Sequence, residues 1–136
     1  MKVMKFGGTS IGSAQNILNV KEIARKESGS VVLIISAFGG ITDKLLHTSA
    51  LAAKGDLQYD PDFRWIVEYH RSIMKGLNLT HNKELTEKTE LLFEELGNIF
   101  KGVFLINDLS TRTSDKIVSY GERLSSLILS YVFKDY

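Results

Sequence analysis

The sequence predicts an α/β fold built on a mostly parallel sheet, and three observations lead there. First, a short apolar strand from Met1 to Phe6 is followed by a helical pattern and then by Val31-Val32-Leu33-Ile34-Ile35. That second run is β-branched and apolar on both faces, as in a central strand covered by helices above and below. Second, strand, helix and strand in this order make a βαβ unit with a right-handed crossover, which leaves the strands parallel. Third, each strand runs into a glycine pair flanked by hydroxyls, Lys5-Phe6-Gly7-Gly8-Thr9-Ser10 and Ser36-Ala37-Phe38-Gly39-Gly40-Ile41-Thr42-Asp43. Parallel pairing puts both carboxyl ends on one edge of the sheet, where open α/β sheets bind their ligands.

The remaining elements follow in chain order. Ser13 is placed to cap a helix running to about Glu27, in which Ile17, Val20, Ile23 and Ala24 recur at helical spacing. Ser28-Gly29-Ser30 stops it before the second strand. The second glycine turn opens a helix from about Thr42 to Lys54, closed by Gly55 as its C′ residue. Asp60-Pro61 reads as an N-cap with proline at the first helical position, ahead of a buried stripe of Ile66, Val67, His70, Ile73, Met74 and Leu77. Asn78 to Asn82 is a polar break, after which a charged amphipathic helix carries Leu85, Leu92, Phe93, Leu96, Ile99 and Phe100. Residues 56 to 101 carry little chemistry, and their aromatics follow the helical period as core or helix–helix contacts. Asp115 is expected in the first turn of a last helix capped by Thr113 or Ser114. Ile117, Val118, Leu124, Leu127, Ile128 and Tyr131 make that helix heavily apolar. A single proline in the chain favours long, uninterrupted elements.

Composition narrows the function. The 136 residues make about one domain, with 43% hydrophobic and 24% charged residues, as in an ordinary globular protein. A net charge of +1 argues against nucleic acid as the main partner. Absence of cysteine excludes disulfides and thiolate metal sites and agrees with a cytoplasmic protein. No apolar run approaches the roughly 18 to 20 residues that span a membrane, and Met1 to Phe6 is too short for a signal peptide. His47, His70 and His81 share no short metal-ligand spacing and read as structural or solvent-facing, so no metal site is expected.

Chemistry concentrates in three places. Glycines let backbone approach an anion closely, consecutive N–H groups of such a turn form an anion-binding nest, and the following helix adds the positive end of its dipole. Lys5 supplies a full positive charge. Neither GxxxxGK[ST] nor GxGxxG is present, so each glycine pair can also be read as an ordinary strand-to-helix turn. The two together point more strongly to a site, because the βαβ geometry sets them side by side. The third place is Tyr120-Gly121-Glu122-Arg123-Leu124-Ser125, a glycine and a charged pair within an apolar helix. It is either a solvated edge where Gly121 allows close packing, or a carboxylate aimed into a cleft.

In order and spacing, Lys5-Phe6-Gly7-Gly8-Thr9-Ser10, Ser36-Ala37-x-Gly39-Gly40-Ile41-Thr42 and Ser119-Tyr120-Gly121-Glu122-Arg123-Leu124-Ser125 resemble three motifs of the aspartokinases, members of the amino-acid kinase superfamily. The likeness runs the full length of the chain. The Met1-Lys2-Val3-Met4 start and the Thr113-Ser114-Asp115 approach look most like bifunctional aspartokinase/homoserine dehydrogenases. The resemblance implies a partial α/β/α sandwich, helix-rich because only its first strands are represented. It implies phosphoryl transfer from ATP, carried with Mg2+, to the β-carboxylate of L-aspartate, a step toward lysine, threonine and methionine. It makes Lys5 the catalytic cation on the transferring phosphoryl group. Gly7, Gly8, Thr9, Ser10, Ser36, Ala37, Gly39 and Gly40 would hold phosphate, Thr42 the substrate carboxylate, and Glu122 the aspartate α-ammonium.

The same resemblance predicts what is missing. The family's Gly-Arg-Gly-Gly-Ser-Asp-type motif, its adenine pocket, its ACT domains and a dehydrogenase domain have no counterpart in residues 1–136. The chain is therefore expected to be the N-terminal part of the kinase domain, ending near Val132 to Tyr136 where a helix gives way to the next strand, and to be inactive alone, with no tightly bound cofactor. Two alternatives stand beside this reading. One is a related kinase with another carboxylate substrate. The other is a structural, self-associating fragment that uses the helices between Asp60 and Lys101 and an open sheet edge.

Overall fold

The computed structural model describes residues 1–134. Strand β1 (Lys2–Phe6) leads through a 3₁₀ turn (Gly8–Ile11) into helix α1 (Ala14–Arg25), then strand β2 (Val31–Ile35). Four helices follow: α2 (Ile41–Ala53), α3 (Tyr59–Gly76), α4 (Lys83–Ile106) and α5 (Thr111–Val132). β1 and β2 pair in parallel, from Lys2 opposite Val31 to Phe6 opposite Ile35, so both strands end level. This is the βαβ unit that the sequence predicts.

Local chemistry explains most boundaries. The Ser13 hydroxyl accepts the Asn16 N–H at 3.1 Å and starts α1. Gly55, at φ +71°, follows α2 in the left-handed conformation expected of a C′ residue. Asn82 caps α4 by accepting the Leu85 N–H at 3.0 Å, and Asn107, at φ 53°, ends it. Two helix starts differ from expectation. α3 begins at Tyr59, so Pro61 is its third residue rather than its first, which costs little because the first turn has no N–H partners to lose. The Asp56 carboxylate turns the chain just upstream, accepting the Gln58 N–H at 2.9 Å. α5 begins at Thr111 under a Ser110 cap, whose hydroxyl accepts the Thr113 N–H at 3.1 Å. Asp115 therefore sits beyond the first turn, exposed. The helix ends at Val132; the rest of the expected exit, Asp135 and Tyr136, lies outside the described residues.

The core is helical, and α2 is its centre, packed against α3, α4 and α5. Ile41, Leu45 and Ala52 of α2 are sealed, as are Ile66 of α3, Leu96 and Phe100 of α4, and Ile117, Leu124 and Ile128 of α5. Burying each aliphatic side chain contributes about 1.5 to 3 kcal/mol. Thr48 and Ser49, equally buried, turn their hydroxyls back onto the Lys44 and Leu45 carbonyls at 2.7 Å.

The sheet departs from expectation in one respect. One face is covered: Phe6 lies beside Val20 and Ile23 of α1, and Leu33 and Ile35 lie beside Leu129 of α5. The other face carries Val3, Lys5, Val32 and Ile34, with Val32 44% and Ile34 48% exposed. β2 is apolar on both faces but covered on one among the described residues, because α1 and α5 both lie on the same side.

Candidate functional site

The site forms where the strands end. The Ser36 N–H donates to the Phe6 carbonyl at 3.2 Å, carrying the pairing one residue past β2 before the loops part. The loops then touch. A Cβ on Gly8 would lie 3.0 Å from the Ala37 carbonyl oxygen and 3.3 Å from the Gly39 Cα. A Cβ on Gly39 would lie 3.1 Å from the Gly8 carbonyl oxygen. These two glycines are needed for the loops to pack on one another. Gly40 has a different reason: it begins α2 at φ +81°, a conformation that side chains resist.

Gly7 has neither reason. It is extended, at φ −78° and ψ 171°, and a Cβ there would meet nothing within 4 Å. Thr9 and Ser10 are exposed, and their hydroxyls have no hydrogen-bond partner among the described residues. Their backbone is engaged instead: the Thr9 carbonyl accepts the Asn16 side-chain amide at 3.2 Å, and the Ser10 N–H donates to the Gly7 carbonyl at 3.1 Å. Lys5 stands on the uncovered sheet face, exposed and without an ion pair among the described residues.

The second loop is anchored in the core. Ala37 and Phe38 are 4% and 1% exposed, so only their backbone can face a ligand. The Ser125 hydroxyl, itself buried, donates to the Ser36 carbonyl at 2.7 Å. A Cβ on Gly121 would lie 2.8 Å from the Ala37 Cβ, so this glycine lets α5 lean directly on the loop. The third sequence motif is thereby joined to the second. Its charged pair does not enter the core. Glu122 and Arg123 are exposed, and Arg123 turns away to Glu95 of α4 at 3.8 Å while covering the Tyr120 ring at 4.5 Å. The close-packing reading of Gly121 is what the structure shows, and Glu122 is left as an exposed carboxylate on the same helix. Thr42, half-buried, lies in the first turn of α2, where backbone N–H groups lack helical partners.

Tyr69 of α3 has no part in the sequence analysis, and His70 enters it only as a member of the buried stripe. The Tyr69 hydroxyl donates to the Gly12 carbonyl at 3.0 Å and lies 3.2 Å from the Gly39 carbonyl, reaching one oxygen from each loop. Burial raises the phenol above its ordinary value, so it remains a donor. His70 is fully buried against Phe38, at 5.5 Å between ring centres. Its Nδ1–H donates to the Ile66 carbonyl at 2.7 Å, and its Nε2 has no partner. Burial pulls its pKa down to about 4, against the smaller opposing effect of that hydrogen bond. The signal available in sequence was only that both positions lie on or beside the apolar stripe of α3. His47 and His81 are exposed, and no cluster of three or more His, Cys, Asp or Glu side chains suited to a metal ion occurs among the described residues. No helix among them is long and apolar enough to cross a membrane.

Comparison with known proteins agrees with this geometry. The sequence matches the amino acid kinase family over residues 1–136. It is 33% identical over 132 residues to aspartokinase 1, chloroplastic, of Arabidopsis thaliana, covering 94% of this chain and 22% of that protein. It is 28% identical over 136 residues to bifunctional aspartokinase/homoserine dehydrogenase 2, chloroplastic, of the same plant, covering 97% of this chain and 15% of that protein. The fold superposes with a TM-score of 0.85, at 24% identity, on E. coli aspartokinase III in complex with aspartate and ADP, covering 98% of this chain and 29% of that one. The fold is that of an α/β protein with two glycine loops apposed at the carboxyl ends of its parallel strands. The chain belongs to the amino acid kinase family. It spans less than a third of the length of these relatives, and both single-function and bifunctional aspartokinases are among them.

Proposed function

We propose that these residues form the phosphate-side wall of an aspartate kinase site. The observation that carries the reading is Gly7: neither packing nor backbone conformation requires glycine there, and it opens on free space in a stretch where the Lys5, Thr9 and Ser10 side chains have no hydrogen bond or ion pair among the described residues. Approach of a ligand to the backbone supplies the missing reason. Relatives named for aspartokinase activity, and a solved relative holding aspartate and ADP, support that ligand being a nucleotide phosphate chain.

The chemistry asked of the site is modest. An oxygen of the aspartate β-carboxylate forms a bond to the γ-phosphorus of ATP. The bond to the β,γ-bridging oxygen breaks, and ADP leaves with its electron pair. The attacking carboxylate is ionised near neutral pH, since its ordinary pKa is about 3.9, so no base is required. Positioning and charge neutralisation remain as the work of the protein. Lys5 would neutralise charge on the transferring group. The N–H groups of Gly7, Gly8, Gly39 and Gly40, with the Thr9, Ser10 and Ser36 hydroxyls, would hold phosphate oxygens. Thr42 would bond the α-carboxylate of aspartate and Glu122 its α-ammonium. Mg2+ would accompany the nucleotide and neutralise part of its phosphate charge. Activity is proposed for the complete enzyme, because this chain spans 22% of its Arabidopsis relative.

Titration of the isotope-labelled chain with MgATP tests the reading. The amide signals of Gly7, Gly8, Thr9, Gly39 and Gly40 should move, and Lys5→Ala should weaken the effect. Aspartate added afterwards should move Thr42 and Glu122, and glutamate should not. Nucleotide-induced shifts confined to other parts of the chain, or none at millimolar nucleotide, would overturn it.

A second reading concerns assembly. The exposed sheet face bearing Val3, Val32 and Ile34, together with the outer edges of the two-stranded sheet, favours self-association. Light scattering showing a strict monomer would remove it.

A further inference from the structure

The two glycine loops are held together by a side chain that belongs to neither of them. Tyr69 lies 57 residues beyond Gly12 and 30 beyond Gly39, on a helix that contributes nothing else to the mouth of the site. Its single phenol proton is shared between two carbonyl oxygens, at 3.0 and 3.2 Å. Gly12 ends the 3₁₀ turn of the first loop, and Gly39 is the centre of the second. Each carbonyl carries partial negative charge, and without a donor between them the two dipoles would oppose each other.

The hydroxyl is held in place from several sides. The Tyr69 ring stacks on Trp65 at 5.2 Å and meets His70 edge-on at 6.0 Å. Trp65 lies under the Lys44 ammonium at 5.3 Å, and Lys44 pairs with Asp62 at 3.1 Å, which ties this end of α3 to α2. At its other end α3 crosses α1 closely, for a Cβ on Gly76 would lie 2.7 Å from the Ala14 Cβ. His70, the next residue, packs on Phe38 of the second loop. α3 thus grips both loops, and Tyr69 is where its grip reaches the backbone of each.

We propose that Tyr69 is a positioning residue whose hydroxyl clamps the two glycine loops at a fixed separation, so that N–H groups from both converge on one phosphate chain. This rests on the reading of the loops as a phosphate wall. Without the clamp the more open first loop would have to be ordered against the core-anchored second when ligand binds, and preorganisation removes that cost.

Tyr69→Phe keeps the ring and its stacking and removes only the clamp. In the ligand-free chain it should speed hydrogen exchange of the loop amides of Ser10, Gly12 and Ile41 by about tenfold, the worth of one hydrogen bond. Amides of α4 and α5 should stay protected as before. Tyr131→Phe, which loses a hydroxyl that accepts from Lys88 of α4 at 3.2 Å, should leave the loop amides unchanged. MgATP affinity should fall about tenfold in Tyr69→Phe and not in Tyr131→Phe. Loop exchange at the wild-type rate in Tyr69→Phe overturns the clamp whatever the nucleotide does. Faster loop exchange with unchanged MgATP affinity overturns the positioning role. A wild-type chain that binds no MgATP removes the phosphate-wall reading and the positioning role with it, while the exchange data still judge the clamp separately.

Discussion

The two glycine loops look alike in sequence and differ in how they are built. The second is a shelf of the core: Ala37 and Phe38 are buried, Ser125 holds the Ser36 carbonyl, and α5 rests on Ala37 through Gly121. The first is more open: Thr9 and Ser10 are exposed, and of its short 3₁₀ turn Ile11 alone is sunk into the core. One loop is packed along its length, and the other is pinned at Ile11 and otherwise rests against the first. Glycine therefore serves different ends within one repeated pattern. At Gly8 and Gly39 it allows backbone to meet backbone, at Gly40 it allows a left-handed turn, and at Gly7 it leaves room.

Substitutions can break or sharpen this contrast. The largest effect belongs to the anchor of the second loop: Phe38→Ala should cost about 3 to 5 kcal/mol in denaturant unfolding, because the cavity opens inside the core. A value below about 1 kcal/mol would mean that the loop is not part of the core.

Next is the acid response of His70, which packs under that anchor. Its folded pKa of about 4 lies below the ordinary 6.5, so the unfolded chain takes up the proton first. Stability from this residue is full above pH 6.5 and is lost as pH falls from there toward 4. The shift corresponds to a loss on the order of 3 kcal/mol. Unfolding measured across that range should show the slope in the wild type, and His70→Leu should flatten it.

Smaller and paired are Gly39→Ala and Gly7→Ala. The first forces a Cβ to 3.1 Å from the Gly8 carbonyl oxygen and should destabilise by about 1 to 3 kcal/mol. The second meets open space in an ordinary conformation and should change stability by less than about 1 kcal/mol, in either direction. Its cost should fall instead on MgATP affinity. If Gly7→Ala binds MgATP as the wild type does, Gly7 is a plain turn residue and the contrast between the loops loses its functional half.

Much of this was legible in the chain. The βαβ order, the level strand ends and the adjacent glycine loops follow from apolar runs and turn residues that act within a few positions of one another. The buried stripes Ile66, Val67, His70, Ile73 and Met74, and Leu85, Phe93, Leu96 and Phe100, follow from the helical period alone. Local caps were less secure. Ser110 took the role given to Thr113 or Ser114, and α3 starts from Gln58 with no side-chain cap where Asp60 was expected, because several small polar residues lie close together and tertiary packing selects among them.

What the sequence by itself determined is the set of parts: two strands, two glycine turns, a lysine before the first turn, and amphipathic helices with their buried faces. Those are local properties of backbone sterics and hydrophobic period. The tertiary structure decided three things that no local pattern carries. It left one face of an all-apolar strand bare, because α1 and α5 cover the same side. It turned Glu122 and Arg123 outward from a helix whose composition suggested burial, because Gly121 and Ser125 are the positions that meet the second loop. It also brought Tyr69 across both loops from a helix that read as structural. Each depends on which helix lies against which loop, and residues 30 to 57 positions apart carry no mark of their meeting until the chain is packed.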